Sequence, residues 1–306
     1  MKKIEKLVLW ILLNLAFLAG IIYSEIKLIS WIGTVSGAFF SIVFACLVKS
    51  IQDLADSQNW QSSLRKYLRG KIIKPTDQIR ISLAYLFRIK VDGKYLLVRN
   101  GRNFDKFQPV GGVYKCKEEE KKILSTAKFC VSDDNGIEID ESSKNDYRMR
   151  VPVKYLRRFV KRFIKTEDRE NFNDLSREFI EELIKPGILS KENFNEITYR
   201  IVGRHYSDIQ YSKYFGIYEL LIADIVDLCL TNEQEKELHK LKETQENNLV
   251  LFATEDSIKA CGVEKGTGKQ KETITDHTYK ILTETTQYLI QEDIPKKDFK
   301  VILNKI

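Results

Sequence analysis

Three glutamates, Glu178, Glu181 and Glu182, stand at i, i+3 and i+4 in Arg177-Glu178-Phe179-Ile180-Glu181-Glu182. On an α-helix that spacing puts their carboxylates on one face. Oxygen ligands gathered in this way suit Mg²⁺, which neutralises phosphate charge and activates water. The same row reads equally as a solvated acidic face, with Arg177 as an ordinary surface partner. Glu178, Glu181 and Glu182 are therefore the candidates for metal ligation and for catalysis.

A second stretch has the opposite sign. From Arg148 to Lys165 there are eight basic residues and no acidic one. Lys154, Arg157, Arg158, Lys161, Arg162 and Lys165 recur at helical spacing, and Tyr155, Leu156, Phe159, Val160, Phe163 and Ile164 fill the opposite side. This pattern predicts an amphipathic helix with a basic stripe. Three readings compete for the stripe: a solvated face, contact with an anionic membrane leaflet, or the border of a pocket for a multiply phosphorylated ligand, which arginine recognises bidentately. On the last reading Arg150, Lys154, Arg157, Arg158, Lys161 and Arg162 bind ligand. Arg204 and Tyr206, a cation and a ring suited to phosphate and base stacking, join them. The segment holding those two reads also as a plain strand and its exit.

Other chemistry gains little from the sequence. Five cysteines, widely spaced and without a C-x-x-C pair, argue against a disulfide framework or zinc site. His205, His239 and His277 are far apart, and no serine or cysteine lies in a recognisable nucleophile motif. Gly266-Thr267-Gly268-Lys269-Gln270 lacks the spacing and the hydroxyl residue of a P-loop, so it reads as a loop.

These residues need a scaffold, and the chain divides into two kinds of sequence. Of 306 residues, 43% are hydrophobic and 30% charged, a balance that excludes disorder and low-complexity classes. The mean hydropathy of -0.29 averages an apolar beginning with a lysine-rich remainder. Residues 7–24 and 28–48 carry no charge, and each run is about long enough to cross a hydrocarbon core of roughly 30 Å. Glu25, Ile26 and Lys27 separate them, so a tight transmembrane hairpin over residues 1–50 is expected. Lysines and arginines flank both outer ends, which by the positive-inside bias predicts cytoplasmic termini. Gly33, Gly37 and Ser41 repeat every fourth position and predict close helix packing, either within the hairpin or between copies. Asn14 is expected to hydrogen-bond across helices, or to line a pore.

Residues 51–77 read as a juxtamembrane helix and linker, closed by Pro75. Beyond them, Ile79 to Val91 and Lys94 to Arg99 read as strands joined by a tight turn at Asp92-Gly93. Tyr214 to Ile225 is again rich in strand formers. Helical patterns occur at Leu175 to Ile184, Glu233 to Lys242 and Thr273 to Gln291. The irregular interleaving predicts an α/β domain with a mixed sheet. A net charge of +7 suits an acidic partner such as phosphate or anionic lipid. No feature points to a DNA or RNA polymer.

Ala84-Tyr85-Leu86-Phe87, Gly93 to Arg99 and then Phe107-Gln108-Pro109-Val110-Gly111-Gly112 resemble the opening of a NUDIX domain. Arg177 to Glu182 resembles the helix of the NUDIX box. The resemblance implies an α/β/α sandwich over residues 78–306, and Mg²⁺ as the cofactor if the domain is catalytic. It also has departures. Gly112 and Arg177 stand 65 positions apart, against 14 in the family, so an inserted segment at about 113–168 interrupts the catalytic loop. The box glutamate expected eight positions before Arg177 is Arg169, with Glu170 one step out of register.

A two-span anchor followed by such a domain resembles the membrane NUDIX effectors of cyclic-oligonucleotide antiphage signalling (CBASS). That resemblance implies a sensor for a cyclic oligonucleotide made by a partner nucleotidyltransferase of the CD-NTase class. It also implies a homo-oligomer that disrupts the lipid bilayer and ends the infected cell. The alternative is a membrane-tethered, Mg²⁺-dependent NUDIX hydrolase of nucleoside diphosphate derivatives.

Overall fold

Each uncharged run folds into a helix longer than its apolar core: α1 is Lys3–Lys27 and α2 is Ser30–Ala55. Both are long and apolar enough to cross a membrane. The computed structural model describes residues 3–55, 59–101, 103–134, 136, 143–244, 248–264, 266–282, 289–290 and 294–303. It separates into two units, Met1–Gly70 and Lys71–Ile306.

In the first unit α1 runs through Glu25, Ile26 and Lys27, and the chain reverses only at Leu28 and Ile29. Leu28 takes a left-handed φ of 54°. Ser24 fixes the reversal: its hydroxyl donates to Ile29 O at 2.7 Å, and its carbonyl accepts from Ile29 N at 3.1 Å. The two helices touch through small residues. A Cβ on Gly33 would lie 2.6 Å from Ser24 Oγ, and one on Gly20 would lie 2.6 Å from Ser36 Oγ. Phe17 and Phe39 stack at 5.4 Å beside them. Gly33 thus packs inside the hairpin, whereas a Cβ on Gly37 would meet no atom within 4 Å. Ser41 donates back to Gly37 O at 3.0 Å in the same helix. Asn14 also turns inward on its own helix. Its amide donates to Trp10 O at 2.8 Å, four residues back, in place of the expected interhelical bond. Helix α3, Asn59–Arg69, sends Arg65 and Arg69 to the side chain of Gln52, which uses part of the juxtamembrane basic cluster.

In the second unit alternating apolar residues build a mixed sheet around β1, Gln78–Arg88. β10, Ile217–Cys229, pairs parallel to it, and β7, Arg148–Pro152, and β5, Gly111–Val113, pair antiparallel. β6, Ser132–Asp133, extends the β7 side. β8, Glu196–Tyr206, follows β10 and carries β12, Leu289–Ile290, and β13, Asp298–Ile302, while β9, Gln210–Ser212, pairs with β10. A smaller antiparallel sheet joins β2, Lys90–Val91, β3, Lys94–Arg99, β4, Phe107–Gln108, and β11, Val250–Ala253. Asp92 and Gly93 turn from β2 into β3 with φ of 47° and 73°, the doubly left-handed turn that Asp-Gly favours.

The β1 register divides the sheet into two faces. Odd-numbered Ile79, Ile81, Leu83, Tyr85 and Phe87 are fully buried. On their side lie helix α5, Val153–Lys165, and the box helix, through ring contacts such as Phe87 with Phe179 at 5.7 Å and Tyr114 with Phe163 at 5.5 Å. On the even side Leu86, Ala223 and Ile225 pack with Leu97, Phe107, Ile258, Ile274 and Ile281 of the second layer. The domain is thus the expected α/β/α sandwich.

The basic stretch is not one helix. Residues 148–152 form β7, and Pro152 stands at the cap position before α5 begins. Arg148 and Arg150 therefore lie on a strand. In the Thr273 to Gln291 pattern only Asp276–Ile281 is helical, as a 3₁₀ turn, and Leu289–Ile290 is a strand. Residues 283–288 and 291 lie outside the described residues.

Candidate functional site

The box helix opens as α6, Arg177–Phe179, and continues as a π-turn over Ile180–Ile184, closed by Lys185 N to Ile180 O at 2.8 Å. A π-turn spaces side chains more widely than an α-turn, so the three glutamates are not equivalent. Glu182 lies against the glycine strand: Gly111 N donates to Oε2 at 2.9 Å and Gln108 Nε2 donates to Oε1 at 3.2 Å. Glu178 lies against the next glycine, where a Cβ on Gly112 would fall 1.8 Å from its Oε1. Glu181 is exposed.

Arg177 ties this helix to the loop. Its guanidinium bonds Glu178, donates to Val113 O at 3.0 Å, and meets Glu170 through Nε and Nη2 at 3.3 Å each. Glu170 also accepts from the Tyr85 hydroxyl and from Lys115 N, both at 3.2 Å. Glu170 is thus the residue that partners Arg177, and its sign and nearness in sequence were the available signal. Arg169, in the expected register, is enclosed by the rings of Tyr114, Phe163 and Phe172 at 4.5 to 4.7 Å.

These contacts bear on Mg²⁺. Glu170, Glu178 and Glu182 each accept hydrogen bonds from protein groups. Among the described residues no three His, Cys, Asp or Glu side chains are grouped to hold a metal ion. As arranged, Glu170, Glu178 and Glu182 are held by protein donors and not gathered as an Mg²⁺ cradle, which leaves Glu181 exposed beside them.

Burial and the neighbouring Glu178 charge push the Glu182 carboxyl up to about 8. A carboxyl raised on folding binds a proton that the unfolded chain has released, so its contribution to stability declines as pH rises towards that value. His205 and His277, held low by burial, act with the opposite sign below about 6.5, and Lys280, pushed down to about 8, does so from about pH 7 upward, which leaves roughly pH 6.5 to 7 as the clean window. Stability there is expected to fall by up to about 1.4 kcal/mol per pH unit, and Glu182→Gln should flatten the slope in urea titrations at each pH.

The basic stripe is partly spent on the fold. Arg162 makes a bidentate pair with Glu120, fully buried on α4, Glu118–Leu124, at 2.8 and 2.5 Å. Arg158 donates to Lys128 O at 3.1 Å, and Arg150 faces buried Asp134 at 3.6 Å. Lys154, Arg157, Lys161 and Lys165 are exposed. Arg204 and Tyr206 differ from expectation more sharply. Arg204 is 1% exposed, and its guanidinium grips Asp224 at 2.6 and 3.0 Å. Tyr114 donates to the same carboxylate at 2.7 Å. Tyr206 is also buried. Both belong to the core, because β8 is an inner strand and the register that pairs Arg204 with Asp224 and Asp224 with Tyr85 puts that face beneath the aromatic layer.

The opposite face of the sheet holds polar groups that sequence spacing did not bring together. On β1 and β10, Arg80 pairs with Asp134 at 2.7 Å and Glu219 at 3.0 Å, and lies 3.9 Å above the Phe215 ring. His205, wholly buried, meets the Tyr279 ring at 5.6 Å. Lys280, on the 3₁₀ turn, is 5% exposed, and burial pushes its ammonium down to about 8. Burial and the Lys280 charge hold His205 at about 3 and His277 at about 4.

A family model described as the SMODS-associated NUDIX domain matches residues 78–282. A solved structure titled "Crystal structure of UDP-X diphosphatase" aligns over 93% of this chain and 95% of its own, at 12% identity and a TM-score of 0.25. No curated protein matches the chain.

Proposed function

This chain belongs to the SMODS-associated NUDIX family, and from that premise we propose that it is a membrane effector in which the NUDIX domain binds a cyclic oligonucleotide and the hairpin disrupts the inner membrane. The observation that carries the reading is the commitment of the box carboxylates to protein donors, in a domain preceded by two apolar helices. A domain built so keeps its sandwich and clefts while its acidic helix serves to hold the glycine strand. The messenger comes from a partner nucleotidyltransferase, and the NUDIX domain and both termini lie in the cytoplasm.

Ligand can drive the hairpins only by binding one arrangement more tightly than another, by about 5.5 kcal/mol for a near-complete switch. Sharing that preference among subunits lowers the demand on each. The open flank at Gly37 supports association between copies, since small residues let helix backbones approach in lipid.

Full-length protein in dye-loaded liposomes tests the scheme. A cyclic di- or trinucleotide should trigger leakage with one ligand bound per site and no product formed. Gly37→Leu should reduce leakage at least tenfold while ligand affinity stays within twofold. Leakage that is equal with and without every cyclic nucleotide rejects the effector reading. The alternative, a tethered Mg²⁺ hydrolase of nucleoside diphosphate derivatives, is supported by exposed Glu181 beside Glu178. It requires turnover that disappears in the Glu181→Gln, Glu182→Gln double variant.

A further inference from the structure

The even-numbered face of β1 changes character along its length. Towards Leu86 it is covered by the apolar second layer. Towards Arg80 the residues are Ser82 and Ala84, half-buried, while their odd-numbered neighbours Ile81, Leu83 and Tyr85 are fully buried on the other side. Small residues in mid-strand with solvent access form a recessed floor, because neighbouring side chains stand taller around them.

The groups around this floor are charged, and its arginines have carboxylate partners: Arg148 meets Asp146 at 3.2 Å and Arg150 meets Asp134 at 3.6 Å. Arg148 and Arg150 of β7 pair with Ser82 and Arg80 in the β1 register and so share its face. His205 pairs with Ala223, and Ala223 with Ala84, which brings it to the same face. Lys280, 5% exposed, stands on the 3₁₀ turn next to Tyr279, whose ring meets His205 at 5.6 Å. Its charge acts on His205 and His277, and it feels the carboxylates of Asp276 and Glu219. Glu219 is already taken by Arg80 at 3.0 Å. Among the described residues the Lys280 ammonium makes neither a hydrogen bond nor an ion pair. Burying a cation without a partner is costly, and a bound anion removes that cost.

We infer that this recess is an anion-binding pocket, floored by Ser82 and Ala84, in which Lys280 takes a phosphate of the ligand with Arg148 and Arg150 at the opposite rim. A phosphodiester-linked nucleotide supplies that chemistry, with the half-exposed Tyr279 ring beside the cation for a base. The inference rests on the proposed function for the nucleotide part of the ligand, and on the strand register and the burial of Lys280 for the phosphate part. It puts the ligand on the sheet face away from α5, so the exposed lysines of α5 do not contact it.

The test uses full-length protein in nanodiscs, with cyclic di-AMP, cyclic di-GMP, cyclic tri-AMP and inorganic tripolyphosphate as probes. Lysine acetylation at pH 8, read by mass spectrometry, should slow at least threefold at Lys280 with a bound probe and stay unchanged at Lys161. Lys280→Met should weaken binding at least tenfold, and Lys161→Met less than twofold. Protection by tripolyphosphate but by no cyclic nucleotide keeps the pocket and rejects the nucleotide reading. A cyclic nucleotide that binds with Lys280 labelling and Lys280→Met affinity unaltered overturns the pocket and leaves the effector scheme standing. If no probe alters Lys280 labelling, the pocket is likewise overturned.

Discussion

Asp224→Ala is expected to destabilise the NUDIX domain by about 3–5 kcal/mol, because it strands the charge of Arg204 in the core. Both partners are 1% exposed, and the carboxylate also receives the Tyr114 hydroxyl at 2.7 Å. The aromatic layer closes over the pair, with the Phe163 ring 5.6 Å from the Arg204 guanidinium, so water has little route to the orphaned cation. Replacing the whole cluster with apolar groups, Arg204→Met, Asp224→Leu and Tyr114→Phe, should recover most of the loss, since buried pairs are often close to neutral against hydrophobic isosteres. Urea denaturation of the full-length protein in detergent, followed by near-ultraviolet circular dichroism, measures both. Equal stability of Asp224→Ala and the parent would show that the pair is not buried as described.

Gly111→Ala should be nearly as damaging. Gly111 has a φ of 152°, and a Cβ there would lie 2.2 Å from Tyr85 O and 2.9 Å from Leu86 Cα. Those are backbone atoms of the central strand, so β5 must move off β1 and its amide must leave Glu182. Strain of roughly 1–3 kcal/mol adds to the lost hydrogen bond to a charged or protonated carboxyl, worth about 1–3 kcal/mol. Gly93→Ala provides the contrast: its φ is 73° but a Cβ meets nothing within 4 Å, so only the left-handed penalty of about 1–2 kcal/mol applies. If the two variants melt at the same denaturant concentration, the glycine strand does not approach β1 as closely as described.

The sequence was most legible where one periodicity governs many residues. The two apolar runs, the Asp-Gly turn and the amphipathic part of α5 are set by local patterns, and the structure keeps them. Chemistry decided by strand pairing was not legible. Arg204 looks like a binding cation until Asp224, twenty positions later, is seen across the β8 and β10 ladder. Arg162 looks free until α4 delivers Glu120. The small-residue stripe of α2 has the spacing of one surface, yet Ser24 takes Gly33 into the hairpin and leaves Gly37 outside. Lys280 was invisible for a related reason: its pattern read as a regular helix, whereas a single 3₁₀ turn directs it towards residues of β8 and β10. Glu170 was within reach, since only a one-residue offset hid its role.

The segment from β7 through α5 sets a limit on how this protein can be shortened. β7 supplies the antiparallel neighbour for the first five residues of β1, and α5 roofs the rings of Tyr114 and Tyr147. Excising it would open a raw sheet edge and strip an aromatic layer together. Any minimal version of the domain must therefore keep that edge strand and its helix together.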